Sequence, residues 1–295
     1  MIANDGPLAL SPIVAGAWRM AEWNFDAQQR LRWIEGGVAL GITSIDHADI
    51  YGDYTVEALF GAALALRPSL REQLQLISKC GIKLVSSQRA AHTRKSYDTS
   101  HAHVMASVEE SLRALRTDRL DLLLIHRPDA LMDADALART FDTLKADGKV
   151  LHVGVSNHSA SQLALLHSRH PLAAHQIELS PLHTDALDDG TLDQCQQLGL
   201  VPMAWSPLGG GRLFSADDAR SLRVRAELQR LADAHRVSLA TIAYAWILRH
   251  PSAPLPITGS GRIDGLRDAA AALDLTLDVE DWYGVWQASL GREVA

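Results

Sequence analysis

Gly41-Ile42-Thr43-Ser44-Ile45-Asp46-His47-Ala48-Asp49-Ile50-Tyr51-Gly52 is the stretch around which the rest of the chain is organised. It opens with a glycine suited to ending a helix and passes through a short β-branched segment. It closes on acidic and aromatic residues ahead of another helical pattern. The reading is a buried strand that ends in Asp46, with Tyr51 on the loop behind it, which is how a barrel presents reactive groups at its mouth. A hydrophobic strand followed by a polar turn is common, so the stretch gains meaning only when other strands supply partners.

Those partners lie on both sides. Ile13 to Trp18 reads as a first strand. Asp26 and Gln29 form a capping box for a helix with Leu31, Ile34 and Val38 on one face, and Gly41 ends it. Thr55 to Leu66 predicts a helix stopped ahead of Pro68. Leu74 to Lys79 is the third strand, followed by the polar, aperiodic segment Ser86 to Ser100, a length of connection that is usually functional or mobile. Val104, Val108, Leu112 and Leu115 mark a helix face, and the fourth strand, Leu120 to Ile125, runs into His126. Leu137, Phe141 and Leu144 mark the next helix, and Val150 to Val155 is a strand leading to Ser156-Asn157. Ser159 and Gln162 cap a helix that ends before Pro171. Ala173 to Leu179, with Gln176, and Leu200 to Trp205 are strands six and seven, the latter leading to Ser206-Pro207-Leu208-Gly209-Gly210-Gly211. Arg223 to Arg249 predicts two helices broken near Val237. Leu255 to Thr258 is the eighth strand, followed by Gly259-Ser260-Gly261 and a helix over Ile263 to Leu273. Val279 to Leu290 reads as an extra amphipathic helix.

Eight strands alternating with helices, and no glycine- or serine-rich linker, predict one α/β domain over residues 1–295. Its architecture is a single (β/α)8 TIM barrel with an extra C-terminal helix. The wholly apolar Leu122 to Ile125 suits a parallel sheet buried on both faces. An open, doubly wound sheet is the structural alternative, and it would want a glycine fingerprint directly after the first strand. None follows Trp18.

A net charge of −7 without any basic run argues against nucleic acid or a membrane surface as the main partner. Cys80 and Cys195, the only cysteines, form neither a disulfide framework nor a zinc pattern, which fits a reducing compartment. Met1 to Leu10 lacks the features of a secretory signal, and no apolar run approaches the ~20 residues of a membrane span. The expectation is a cytoplasmic protein acting on a small molecule.

Polar residues stand at the ends of strands two, three and four: Asp46 with Tyr51, then Lys79, then His126. In a barrel these ends meet at one mouth. An inward lysine needs a carboxylate partner, and Asp46 fits. An ammonium near Tyr51 would favour the phenolate, lowering a pKa of ordinarily about 10 and making the phenol a usable general acid.

Taken together, Asp46-x4-Tyr51-Gly52, Ile77-Ser78-Lys79 and Leu124-Ile125-His126-Arg127-Pro128-Asp129 resemble the catalytic tetrad motifs of the aldo-keto reductases, in their bacterial oxidoreductase branch. Gly154-Val155-Ser156-Asn157, His175-Gln176, Ala204-Trp205-Ser206-Pro207-Leu208-Gly209 and Ile257-Thr258-Gly259-Ser260 follow in the family's order, so the resemblance spans essentially the whole chain. It implies a nicotinamide-dependent reductase of aldehydes or ketones, with Tyr51 as proton donor and Lys79, salt-bridged to Asp46, tuning it. His126 would hydrogen-bond the substrate oxygen. Ser156, Asn157 and Gln176 would hold the carboxamide, Trp205 would stack on the ring, and Ser206, Leu208 and Gly210 would face the pyrophosphate, with Ser260 beyond them. Several relatives place lysine, arginine and asparagine at the positions of Gly259, Gly265 and Ala269, where they clamp the 2′-phosphate of NADP. Here Arg262 and Arg267 are the candidate replacements. NADPH is therefore favoured over NADH, against the warning of Asp268. Some relatives associated with potassium channels bind the cofactor but serve as regulatory subunits, and that is the rival reading.

The remaining candidates have plainer readings. His101-x-His103 imitates metal-ligand spacing at a helix start with no carboxylate cluster, so no metal is expected. His47 and Asp49 are read as packing or supporting groups, and Cys80 as buried. Lys79 as a Schiff-base lysine would leave Trp205 and Ser156-Asn157 unexplained. Trp18, Trp23 and the Ser86 to Ser100 loop are candidate substrate contacts, with Trp282 and Trp286 as alternatives.

Overall fold

The computed structural model describes residues 7–295. Eight parallel strands close into a barrel in strict chain order: β1 (Val14–Gly16), β2 (Ser44–Asp46), β3 (Gln75–Cys80), β6 (Leu120–Ile125), β7 (Val150–Ser156), β8 (Ala174–Glu178), β9 (Val201–Trp205) and β10 (Leu255–Thr258). Two pairings, Val14 with Ile257 and Ala15 with Thr258, join the first strand to the last. The remaining strands, β4 (Ile82–Lys83) and β5 (Ser96–Tyr97), form an antiparallel hairpin, so β5 falls inside the segment Ser86 to Ser100 that was expected to lack regular structure.

Side chains alternate along a strand, so residues two apart share a face. Val14, Ile77, Leu122, Leu124, Ala174, Met203 and Ile257 fill the barrel interior, with Leu8 and Leu10 packed against them. A larger apolar layer lies between the barrel and its helices. The fully apolar strands supply both layers, which is why they lack visible alternation.

The helices are α1 (Ala27–Ala39), α2 (Val56–Leu64), α3 (His101–Leu115), α4 (Ala134–Ala146), α5 (Ala160–His167), α6 (Thr191–Leu198), α7 (Arg212–Ser215), α8 (Ala219–His235), α9 (Leu239–Leu248), α10 (Ile263–Ala271) and α11 (Val279–Leu290). Both predicted capping boxes are present. The Gln29 N–H donates to Asp26 Oδ1 at 2.7 Å, and the Gln162 N–H donates to Ser159 Oγ at 3.3 Å. Among the described residues no helix is long and apolar enough to cross a membrane.

Several boundaries differ from the sequence reading. The first strand stops at Gly16, and Trp18 lies on the turn beyond it, 56% exposed. The helix predicted from Arg223 begins at Ala219 because the Asp218 side chain caps it. The helix predicted to Leu273 ends at Ala271 and tightens into a 3-10 turn. Between the sixth and seventh barrel strands lies α6, which went unread although Leu192 and Cys195 mark its buried face. The two alternative substrate tryptophans lie elsewhere. Trp282 stacks on Trp246 at 5.4 Å and contacts Trp286, and each indole N–H of the stacked pair donates to the other residue's carbonyl. That arrangement ties α11 to α9.

Candidate active site

The parallel ladder continues past the strand ends and fixes the residues that follow. Ala17 N–H donates to the Asp46 carbonyl, His47 N–H to Ile77, Asp49 N–H to Lys79, His126 N–H to Cys80 and Asn157 N–H to Gln176. Period-two alternation then sends functional side chains inward directly above the apolar plug. Lys79 stands two residues beyond Ile77, His126 beyond Leu124, Gln176 beyond Ala174 and Trp205 beyond Met203.

The Lys79 ammonium is the centre of this layer. Its Nζ donates to Asp46 Oδ1 and Oδ2 at 2.8 and 2.7 Å, to the His47 carbonyl at 2.7 Å and to the Tyr51 hydroxyl at 2.9 Å. Its side chain is wholly enclosed. Burial is the largest influence on the amine and works against its charge, but Asp46 and Tyr51 together outweigh it and hold the pKa above its ordinary value. Gln176 Nε2 donates to Asp46 Oδ1 at 2.8 Å, tying a third strand into the pair.

Tyr51 lies edge-on to the His126 imidazole, with ring centres 5.9 Å apart. Burial pushes its phenol up to about 12, while Lys79 pulls it down. The expected influence of Lys79 thus has the right sign, but loss of water around the hydroxyl outweighs it. His126 is buried, and burial followed by the charges of Lys79 and Arg127 holds it well below the usual imidazole range, so it is neutral. Its Nδ1 has no hydrogen-bond partner among the described residues.

These groups open onto a cavity of about 850 Å³. The walls include Trp18, Asp46, Tyr51, His126, Ser156, Asn157, Gln176, Trp205, Ser206, Leu208, Gly210, Ser260 and Arg262. A cavity that joins a buried cation–carboxylate–phenol group to a glycine-rich rim suits an elongated ligand reacting at its enclosed end.

Residues 12–288 match the sequence profile of the Aldo/keto reductase family. The chain belongs to the aldo/keto reductase family. It is 49% identical over 296 residues to oxidoreductase YdhF of Escherichia coli (strain K12), covering 99% of this chain and 98% of that protein. It is 42% identical over 297 residues to a protein of Agrobacterium fabrum named 6-dehydroglucose reductase, covering 100% and 99% respectively. Among solved structures it resembles a Klebsiella pneumoniae aldo/keto reductase in complex with NADP and acetate. That likeness has a TM-score of 0.78 and 27% identity, and covers 94% of this chain and 90% of the other. The protein is an NAD(P)H-dependent oxidoreductase of a family that acts on small molecules, and its cofactor is a nicotinamide nucleotide.

For an aldo/keto reductase the other cavity residues are informative. Asn157 Nδ2 donates to Ser156 Oγ at 2.7 Å, and Trp205 Nε1 donates to Asn157 Oδ1 at 3.0 Å. Asn157 and Ser206 both adopt left-handed backbone, with φ of 56° and 51°. Side chains other than glycine hold that conformation at a cost, and they do so here at two strand ends on the cavity wall. Gly209, Gly210 and Gly211 are all left-handed, and a Cβ at Gly210 would meet nothing within 4 Å, so the turn leaves its backbone open.

Two expected contacts, Arg267 and Trp23, do not line the cavity. Arg262 lines the cavity, whereas Arg267 does not and instead pairs with Asp264. Asp268 does not line it either. Trp23 packs beneath the Gly259-Ser260-Gly261 turn. A Cβ at Gly261 would lie 2.8 Å from its ring, and Trp33 stands 5.0 Å away. Trp23 therefore shapes the turn, and Trp18 lines the mouth. Sequence reasoning missed Tyr244, Phe214 and Arg127 among the lining residues, whereas Lys95 and Tyr97, from the Ser86 to Ser100 segment expected to contact substrate, do line the cavity. Arg127 sat in a quoted motif and was given no role, and Phe214 directly follows the glycine-rich turn.

His101 and His103, whose spacing imitates that of metal ligands, have separate surroundings. His101 Nδ1 lies 3.1 Å from Thr140 Oγ1, while His103 Nε2 is buried without a partner. No group of three His, Cys, Asp or Glu side chains among the described residues is placed to hold a metal ion.

Proposed function

We propose that this protein uses NADPH to reduce an aldehyde or ketone to the corresponding alcohol. The observation that carries the reading is the Lys79 ammonium, shared between the Asp46 carboxylate and the Tyr51 hydroxyl at the enclosed end of the cavity. The relative named as a reductase supports the direction of reaction.

The residues present fit a nicotinamide dinucleotide. At Gly210 and Gly211 a Cβ would meet nothing within 4 Å, which leaves room for a diphosphate against the turn, and Gln176 donates an amide N–H to Asp46, which leaves its carbonyl oxygen available to a carboxamide. Bound NADPH supplies the hydride. Ser156, Asn157 and Gln176 orient the carboxamide, and Trp205 gives the ring a flat surface. Tyr51 donates its proton to the carbonyl oxygen as negative charge develops there, and Lys79 stabilises the phenolate left behind. Neutral His126 donates a hydrogen bond to the same oxygen and sets its direction. Burial raises the phenol's pKa and so weakens it as an acid, and the Lys79 ammonium offsets part of that cost. Arg262 is the cationic side chain at the adenosine end, has no ion pair among the described residues, and is the group that favours a 2′-phosphate.

Tyr51→Phe removes only the proton donor. The expected result is a loss of about 10²–10⁴ in kcat, followed by NADPH absorbance with an activated aldehyde, while NADPH dissociation changes little. Unchanged turnover would remove Tyr51 from the role of acid. Wild-type protein that binds NADPH yet reduces nothing across a broad carbonyl panel would favour the regulatory reading instead.

A further inference from the structure

Arg127 is the next residue after His126 and lines the same cavity as His126 and Tyr51. Its charge reaches both groups electrostatically. The side chain is half-buried, and among the described residues no carboxylate, carbonyl or hydroxyl accepts from its guanidinium. The Trp205 ring lies 5.7 Å from the guanidinium carbon, and both residues also border a neighbouring hollow whose walls carry Glu178, Asp185 and Asp189. The other cations of the cavity are differently placed: Lys95 is exposed to solvent on the segment before β5, at the outer rim. Lys79 is consumed by Asp46 and Tyr51, Arg19 donates to the Gly210 carbonyl at 3.1 Å, and Arg262 stands beside the Gly259–Gly261 turn.

An aromatic face satisfies the charge of a guanidinium but none of its in-plane N–H groups. Water can serve these donors while the site is open. A substrate entering against His126 displaces that water and must offer acceptors, or it leaves a partly desolvated cation unpaired. From this geometry we infer that Arg127 is a specificity-determining residue that binds acceptor oxygens carried by the substrate beside its reacting carbonyl. The preferred substrates are then hydroxylated or carboxylated carbonyl compounds rather than plain alkyl or aryl ones. The inference rests on the carbonyl-reductase reading and names the substrate class of the same site.

The test measures kcat/KM with NADPH for three kinds of aldehyde: glyceraldehyde for neutral hydroxyls, succinic semialdehyde for a carboxylate, and butanal for neither. Wild-type protein is compared with Arg127→Met, which keeps length but no donors, and with Arg127→Lys, which keeps charge but not the planar fork. Expected is a fall of about 10- to 100-fold in the ratio of an oxygenated substrate to butanal in Arg127→Met, carried mainly by KM, with partial recovery in Arg127→Lys. A fall confined to glyceraldehyde identifies neutral hydroxyls as the ligand, and one confined to succinic semialdehyde identifies an anion. An equal loss on all three substrates, or no loss, overturns the inference while leaving carbonyl reduction intact. If Arg127→Met fails to fold, the same ratio in Arg127→Lys decides, since loss of the fork alone should lower it. Wild-type protein that binds NADPH and reduces none of the three sinks the carbonyl-reductase reading, and the inference falls with it.

Discussion

The Lys79 ammonium carries three hydrogens and stands within hydrogen-bond distance of four acceptors, in a place that water does not reach. Replacing it by methionine leaves the Asp46 carboxylate buried beside the Gln176 amide alone. Lys79→Met should therefore cost about 3–5 kcal/mol of stability by urea unfolding, in addition to lost turnover. Adding Asp46→Asn should recover part of that stability and none of the turnover. On the outer face of the same strand, Ser78 Oγ donates to buried Glu57 at 2.5 Å, and burial raises the Glu57 carboxyl to about 7. A carboxyl raised in the folded state contributes stability below its unfolded value, about 4.5, and loses it as pH rises through 7. Glu57→Gln does not titrate, so its stability relative to wild type should rise by about 3 kcal/mol from pH 4.5 to pH 8. A flat difference across that range would show that Glu57 is ionised throughout.

At the scale of elements, the tetrad depends on short strands and on the turns that follow them. Gly52 has a φ of 56°, and a Cβ there would lie 2.8 Å from Val56 Cγ2 and 3.1 Å from Ala21 Cβ. Gly52→Ala should displace the loop bearing Tyr51 and lower kcat at least about tenfold, while NADPH affinity changes less. Asp26→Ala, which removes only the cap of α1, should cost about 1 kcal/mol of thermal stability without a change in kcat. This level was largely legible in advance. Ile77-x-Lys79, Leu124-x-His126, Ala174-x-Gln176 and Met203-x-Trp205 each place a polar or aromatic residue one inward step above an apolar one, and a period of two can be read from letters alone. The short hairpin formed by β4 and β5 could not be read, because two-residue strands have no period. Neither could the role of Trp23, since a tryptophan under a glycine turn and one facing a ligand have the same sequence signature. The net pKa of Tyr51 was hidden for a further reason: sequence places Lys79 beside the phenol, but only the packed cavity shows how much water has been removed.

For the whole molecule, the buried titratable groups set a pH optimum for folding. Burial holds His47, His158 and His175 down to about 3, 4 and 3, and His126 well below its usual range. Below the unfolded imidazole value of about 6.5 the unfolded chain takes up protons that these four sites refuse, so stability is lost as pH falls. Glu57 and Asp49, both raised, act in the opposite direction as pH increases. The thermal midpoint should therefore peak at about pH 6.5 and fall more steeply on the acid side, which scanning calorimetry from pH 4.5 to 8 can check. The ring of strands carries a different consequence. Its seam is the pairing of Val14 and Ala15 with Ile257 and Thr258, so a chain emerging from the ribosome cannot shut the cylinder until nearly all of it has been made. Until then β1 and the newest strand are both open borders that invite association with other chains, and release of the last segments removes both borders at once.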